Sequence, residues 1–419
     1  MYLLNRRRRL HAVWLGVAAS ALISGTALAD PAPPFRQLLA QALTTAPRLA
    51  EARAEIARAE GLARQAGVLP NPVLSFEVEN FAGSSPYKGF DLSETTASIA
   101  QTIELGGKRQ ARTAVGQADV EAARSRAARI QAEYAYDLAT AYAGAEASER
   151  RLQLATQSVE LATEDARIAT ALVVEGREAD LRRFQADAAL QAARASLEEA
   201  RAARATAFSN LTALVGAPTP YTSIPTGLLG RTDVFPTKLP DPLTSPAYLA
   251  AQADRQAAER RIRVERIRSV PDVTASLGLR RFQGDRATAV VAGVSAPLPL
   301  FDRNRGNISA AQAGLNAAEA RVSAALYDAE AAVRSGGARL SASESRVLAA
   351  QQGERAAEEA YRLTRLGFEG GKISLIELLN AQRALAEGRA QTIDAAVERV
   401  SAQAALARLS GDAGTGDSQ

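Results

Sequence analysis

The sequence predicts a mainly α protein with a small β part, built by internal duplication. Three observations support this reading. First, residues 36–216 and 247–411 run through the same order: a helix, two short alternating strands, a very long Ala-rich helix, a Gly-containing turn and a returning helix. Second, landmarks recur at offsets of 194 to 196 residues: Leu105-Gly106-Gly107-Lys108-Arg109 answers Phe301-Asp302-Arg303-Asn304-Arg305, Glu175-Gly176 answers Glu369-Gly370, and Leu214-Val215-Gly216 answers Leu409-Ser410-Gly411. Third, each copy holds only two strands, which cannot close a sheet. An open sheet edge is a template for pairing, so the strands are expected to pair with other copies of the chain.

Residues 1–29 read as a secretory signal. Arg6 to Arg9 give its charged region, Val13 to Leu28 its apolar region, and Ala27-Leu28-Ala29 a small-x-small cleavage site. The mature chain is then expected to begin at Asp30. The apolar run is short for a membrane span, and no Cys follows the site to carry a lipid.

The signal also accounts for the basic balance. It holds four of the 50 Lys and Arg and none of the 46 acids, so 46 basic residues face 46 acidic ones in the remainder. A neutral chain gives no sign of nucleic-acid binding. His11, Trp14 and Met1 are the only residues of their types, and Cys is absent. Without Cys or His, the remainder has no disulfides, no thiolate or imidazole metal ligands, and no His-activated nucleophile. No enzyme chemistry and no cofactor are expected. Most Asp and Glu lie at helical spacing among Arg and Ala, the pattern of solvated helix faces.

A helix is predicted from Arg36 to Gly67, broken near Pro47. Pro70 and Pro72 end it and open a strand, because Pro is tolerated at a strand's first residue. In Val73–Glu79, Leu74, Phe76 and Val78 share one face and Ser75, Glu77 and Glu79 the other. After a Gly- and Ser-rich loop, a second strand runs from Thr95 to Leu105. Its counterparts are Val273–Arg280, with Ala275, Leu277 and Leu279 on one face, and Ala287–Ala296, whose apolar residues leave its orientation undetermined. Strands near ten residues in an exported chain fit a membrane barrel, and no later segment is long and apolar enough for a membrane helix.

The Pro-free stretch Gly107–Leu172 predicts one helix of about 66 residues, roughly 99 Å. Small residues recur on a heptad: Ala111, Ala118, Ser125, Ala132 and Ala139 at one position, Ala114, Ala128 and Ala135 at the other. Small side chains at both positions let helices approach closely. The chain turns at Val174–Arg177 and returns over Asp180–Val215. That helix and the leading one, stacked end to end, match the long helix. The second copy repeats the arrangement with helices over Pro246–Ser269 and Arg305–Leu366, a turn at Gly367–Ser374 and a return to Leu409. The organisation is therefore read as signal 1–29, first repeat 30–216, a Pro-rich equatorial linker 217–246 expected to wrap the outside without forming a core, second repeat 247–411 and a disordered tail 412–419.

Four strands per chain need partners in lipid, where open edges are not tolerated. Three chains give about twelve strands, enough to leave a lumen, and the same chains supply the helical columns of a tube. The physical reading is an outer-membrane barrel continued by an α-barrel in the periplasm.

At this level of detail the chain resembles the TolC family of outer-membrane efflux ducts. Pro297-Leu298-Pro299-Leu300-Phe301-Asp302-Arg303-Asn304-Arg305-Gly306-Asn307-Ile308 resembles the strand-to-helix junction of its heavy-metal branch, the CzcC-like proteins of cobalt-zinc-cadmium resistance. The resemblance implies a homotrimer in outer-membrane lipid. It would be a passive gated exit duct docked, through a periplasmic adaptor, onto an inner-membrane pump of the resistance–nodulation–division (RND) type. It implies divalent metal cations as cargo. A duct for organic toxins, or a soluble periplasmic coiled-coil or adaptor protein, stands as the alternative.

Phe368-Glu369-Gly370-Gly371-Lys372-Ile373-Ser374-Leu375-Ile376-Glu377-Leu378-Leu379-Asn380-Ala381 resembles the family's periplasmic tip. Family members place two Asp just beyond this turn as an acidic constriction. Glu377 stands at the first of these positions and Asn380 at the second, which implies a pore constriction with one acid fewer. An Arg that fastens the closed tip in TolC is matched by Ile373, with Lys372 adjacent. Arg182 and Arg183 stand where TolC has an acid in the first tip. The closing contacts are therefore expected to differ. Gly176, Gly370 and Gly371 are expected to permit tight or left-handed turns that, with Lys372, meet the adaptor.

Overall fold

The computed structural model describes residues 30–235 and 238–411. The signal read over 1–29, the tail read over 412–419 and Pro236 of the linker lie outside the described residues.

The elements follow the predicted order. The first copy has α1 (Phe35–Thr45), α2 (Pro47–Ala66), β1 (Val73–Glu79), β2 (Glu94–Ile103), α3 (Lys108–Val174) and α4 (Asp180–Val215). The second has α5 (Pro246–Arg268), β3 (Val273–Phe282), β4 (Ala287–Ser295), α6 (Arg305–Glu369) and α7 (Leu375–Ser410). Helix α6 runs past Leu366 to Glu369, so the turn predicted from Gly367 begins three residues later, at Gly370.

The helices form a row of columns. Helix α3 packs against α2 and α4 on one side and α5 and α7 on the other, and α6 packs beyond α5 and α7. The stacking of shorter helices is visible at two joints. Gly216 ends α4 at φ 75°, and a Cβ there would touch Pro47, the first residue of α2, at 3.4 Å. Gly411 ends α7 at φ 71°, and its Cβ would meet Pro246, the first residue of α5, at 3.3 Å. Each joint puts a left-handed glycine against a proline that needs no N–H partner. The row ends at α2 and α4 on one side and at α6 on the other, leaving two unpartnered flanks.

Part of the heptad reading holds. Ala111, Ala132, Ala135 and Ala139 are buried, whereas Ala128 is exposed. Helix α3 is flanked on two sides, so Gly116, Val120, Ala122 and Ala123 are buried as well, outside the single heptad stripe.

The four strands form one antiparallel sheet in the order β1-β2-β3-β4, with β1 and β4 at open edges. Directly opposed residues point the same way. The register aligns Leu74, Ile99, Leu277 and Ala292 in one row and Phe76, Ala97, Leu279 and Val290 in the next. That register settles the orientation of β4, which alternation left open: Val290, Ala292 and Val294 join the apolar face. This face is bare, with Phe76 72% and Val294 78% exposed. The opposite face carries Ser75, Glu77, Thr96, Ser98, Ser276 and Arg280.

The linker corrects its expectation. Ile224, Leu228, Leu229, Val234 and Phe235 are buried in the largest core cluster, with Phe35, Tyr134, Leu138 and Tyr142. Proline density fixed the segment as irregular, but its apolar residues fill the shallow side of α3, where Ala leaves space. Tyr142 Oη donates to Thr226 O at 2.8 Å, and Tyr134 Oη to Leu214 O at 3.0 Å. Burial pushes the Tyr134 hydroxyl up to about 12.

Candidate functional site

The sequence-named residues fall at the two ends of columns about 100 Å long. At the far end from the sheet, the chain makes one turn twice. Gly176 adopts φ 70° and Gly371 φ 72°. Gly176 N–H donates to Val173 O and Arg177 N–H to Leu172 O, at 3.0 and 2.9 Å; Gly371 and Lys372 repeat this with Phe368 O and Gly367 O at 2.9 and 2.8 Å. Gly370 has φ −82° and ends α6 within the same tight turn, so of the two adjacent glycines Gly371 is the left-handed one. The tip equivalence is therefore Gly176 with Gly371, one residue off the Glu-Gly match read in the sequence, because hydrogen bonds and not residue identity define the turn.

The two tips share a small core. Ala166 and Ala169 of α3, Ala186 and Leu190 of α4, and Leu375 and Leu378 of α7 form one buried cluster. Ile373 lies so close to Gly367 that a Cβ on Gly367 would meet its Cδ1 at 2.5 Å. Arg182 and Arg183 turn to their own hairpin: Arg182 pairs with Glu178 at 3.6 Å and Arg183 with Asp180 at 3.5 Å. Among the described residues their polar partners all lie on that hairpin.

Glu377 and Asn380 are exposed and three residues apart on α7, so they share a face. Glu377 also has a local task. Its Oε2 accepts from the Ser374 N–H at 2.9 Å and the Ser374 Oγ at 3.1 Å, closing a capping box at the start of α7. The acid is thereby oriented by its own helix terminus. Lys372, in the turn before α7, is exposed as well.

At the other end, the junction motif divides. Asn304 is buried, sits at φ 58° and starts α6. Its Nδ2 donates to Glu265 O at 2.7 Å and to Glu265 Oε2 at 2.8 Å, and its N–H to Asp302 Oδ1 at 2.8 Å. This pins α6 to α5. Arg303 and Arg305 are exposed, as are the apolar residues of Pro297–Phe301, with Phe301 99% bare. In the first copy Gly107, at φ 78°, starts α3, and Lys108 Nζ pairs with Asp272 Oδ1 at 2.8 Å.

Three charged sites escaped the sequence reading. On the polar sheet face Arg280 bridges β1, β2 and β3, pairing with Glu79 and Glu94 at 3.1 Å each and donating to Thr96 Oγ1 at 2.9 Å. At the waist, buried Glu146 accepts from the Leu228 and Leu229 N–H groups at 2.6 and 3.0 Å and pairs with Arg150 at 2.6 Å. From the other side Arg399 donates to Leu229 O at 2.6 Å. Near the tips, Asp165 is buried with its Oδ2 lacking a hydrogen-bond partner. A signal existed for two of them. Glu146 follows Tyr142 by four residues, and Asp165 stands between Ala162 and Ala169 at helical spacing, so each carboxylate interrupts a buried stripe.

Among the described residues no group of three or more His, Asp and Glu is placed to hold a metal ion, and no helix is long and apolar enough to cross a membrane.

Comparison with known proteins agrees with this geometry. A model of the outer membrane efflux protein family matches residues 38–217 and 243–412, one segment over each copy. The nickel-cobalt-cadmium resistance protein NccC of Alcaligenes xylosoxydans xylosoxydans is 40% identical over 300 residues, covering 71% of this chain and 68% of its own. The cobalt-zinc-cadmium resistance protein CzcC of Cupriavidus metallidurans is 30% identical over 370 residues, covering 87% and 86%. The outer membrane protein VceC of Vibrio cholerae shares the fold, with a TM-score of 0.72 at 20% identity over 90% of this chain and 96% of its own. CusC does so with a TM-score of 0.74 at 17% identity over 89% and 91%. With the family model spanning both halves of the duplication, the chain belongs to the outer membrane efflux protein family.

Proposed function

We propose that three copies of this chain form a passive, gated exit duct for divalent metal cations, working with a periplasmic adaptor and an inner-membrane RND pump. The observation that carries the reading is double incompleteness. The sheet has free edges at β1 and β4, and the helical row has free flanks at the matching ends. One rotation about a common axis satisfies both, giving a barrel of about twelve strands above a helical tube. The bare apolar face of the sheet then meets lipid, and the face with Glu77 and Arg280 lines the lumen.

Metal cargo is supported by the resistance proteins NccC and CzcC, and the tip adds a physical reason. Three exposed Glu377 carboxylates, each aimed by its capping box and drawn together at a narrow end, would attract cations and repel one another. Gly176, Gly371 and Lys372, at the outermost turns, are the surface for the adaptor. The bare apolar sheet face counts against a soluble adaptor protein, which would leave that area in water.

The test is direct. The purified protein should sediment as a trimer, conduct ions in planar bilayers, and, when deleted, leave cells sensitive to divalent metals. A monomer without conductance would sink the reading; sensitivity to organic toxins alone would keep the duct and change its cargo. Glu377→Gln should keep the capping box, since Gln also serves at that position, and lower cation preference in single-channel reversal potentials. Unchanged selectivity would leave Glu377 as a cap only.

A further inference from the structure

Asp165 lies on α3 a few turns from the Gly176 tip and is 5% exposed. Its Oδ2 has no hydrogen-bond partner. The carboxylate opens onto a cavity of about 150 Å³ between α3, α4 and α7. Leu161 and Ala162 of α3, Ala189 of α4, and Leu379 and Ala386 of α7 form apolar walls. Ser158 and Gln382 add neutral polar groups. Burial pushes the Asp165 carboxyl above its ordinary value; the Gln382 side chain opposes this and Glu164 adds to it.

Apolar walls around a few convergent polar groups are the ordinary make-up of a small-molecule site. A cavity near 150 Å³ lined by aliphatic groups takes an aromatic ring. Here one wall also offers a carboxylate oxygen that the protein leaves unpaired, at a cost that a cation would remove. Two guanidinium groups face the site from α7. Arg389 is engaged by Glu354 and Glu358 of α6 at 3.8 and 3.5 Å and donates to Gln157 Oε1 at 3.4 Å, and Arg383 is exposed, where water screens it. Alanines are what α4 presents here, without charge.

We propose that this cavity is a binding site for a small organic cation, an ammonium with a compact apolar body, held by Asp165 and capped by Gln382. The ammonium donates to Asp165 Oδ2, and the apolar body fills the space between the alanines. The occupant bridges α3, α4 and α7 and so ties the two tip hairpins together. The site does not depend on the duct reading: binding is read without any transport assay.

The experiment is calorimetric titration of the purified full-length protein with benzylammonium and with benzyl alcohol, its uncharged counterpart. At pH 7 the cation should bind saturably, at least about tenfold tighter than the alcohol, as expected for one charge-assisted contact. Acidification should weaken the cation, by about tenfold per pH unit once Asp165 protonates, and leave the alcohol unchanged. Asp165→Asn should erase the preference for the cation, and Ala189→Phe should fill the cavity and abolish binding of both. No saturable binding to the folded wild-type protein would overturn the proposal. So would an unchanged preference in Asp165→Asn, or unchanged binding in Ala189→Phe.

Discussion

Glu146 of α3 and Gly227 of the connecting segment occupy space that a further side-chain atom cannot share: a Cβ on Gly227 would lie 2.1 Å from Glu146 Oε1. The same carboxylate accepts the next two N–H groups of the segment, at Leu228 and Leu229. Gly227→Ala should therefore push Glu146 off both. The expected loss is about 2 kcal/mol or more, because buried N–H groups are left unsatisfied. In a Glu146→Ala background the glycine change should cost far less, since the clash is gone. Denaturant midpoints of the four proteins of this cycle check it; additive losses would mean that the contact does not govern the strap.

The duplicated tip turn predicts a contrast between neighbouring glycines. Gly176→Ala and Gly371→Ala each force a Cβ into the left-handed region, at about 1–2 kcal/mol. Gly370→Ala keeps a right-handed φ, and its Cβ would approach Leu366 O at 3.4 Å and Gly367 O at 3.7 Å. With no left-handed φ to strain it, it should cost less than either. Thermal unfolding, together with hydrogen exchange at the tips, reads this ranking.

Asn304 meets two requirements, a positive φ and two bonds to Glu265. Asn304→Gly should retain the first and lose the second. Asn304→Ala loses both and should be less stable than the glycine variant by about 1 kcal/mol. Equal stability of the two variants would show that backbone conformation is not limiting at the α6 start. Denaturant titration decides it.

The Asp165 carboxyl has a folded-state value raised above 3.8, so the native chain binds its proton more tightly than the unfolded chain. Stability contributed by this group is thus present at acid pH and falls as pH rises past 3.8 through the raised value, with the full penalty above it. Asp165→Asn removes the penalty. The variant should be the more stable protein at pH 7 and lose that advantage below the ordinary carboxyl range. Melting temperatures from pH 3 to 8 give the test.

Much of the fold was legible because its elements are local. Val73–Glu79 and Asp180–Val215 were bounded by Pro, Gly and apolar period, and the structure keeps those bounds. The junction and tip motifs were also visible as residue strings. The match of Gly176 with Gly370 was one residue off because a turn is defined by which N–H reaches which carbonyl, and adjacent glycines cannot be told apart by type. Glu146, Asp165 and Arg280 were passed over for a related reason: in a chain rich in Arg and Glu, a charged residue on a long helix or strand looks solvated until its neighbours are known.

The sequence by itself determined the duplication, the two strand pairs, the long helices and the poverty of chemical ligands, since each is a matter of period, composition or proline placement along the chain. Tertiary structure alone decided the facing of β4, the burial of the linker against α3, and the lone carboxylate oxygen of Asp165. Those depend on strand register and on side-chain volumes meeting across segments far apart in the chain, and no local pattern encodes which surfaces will meet.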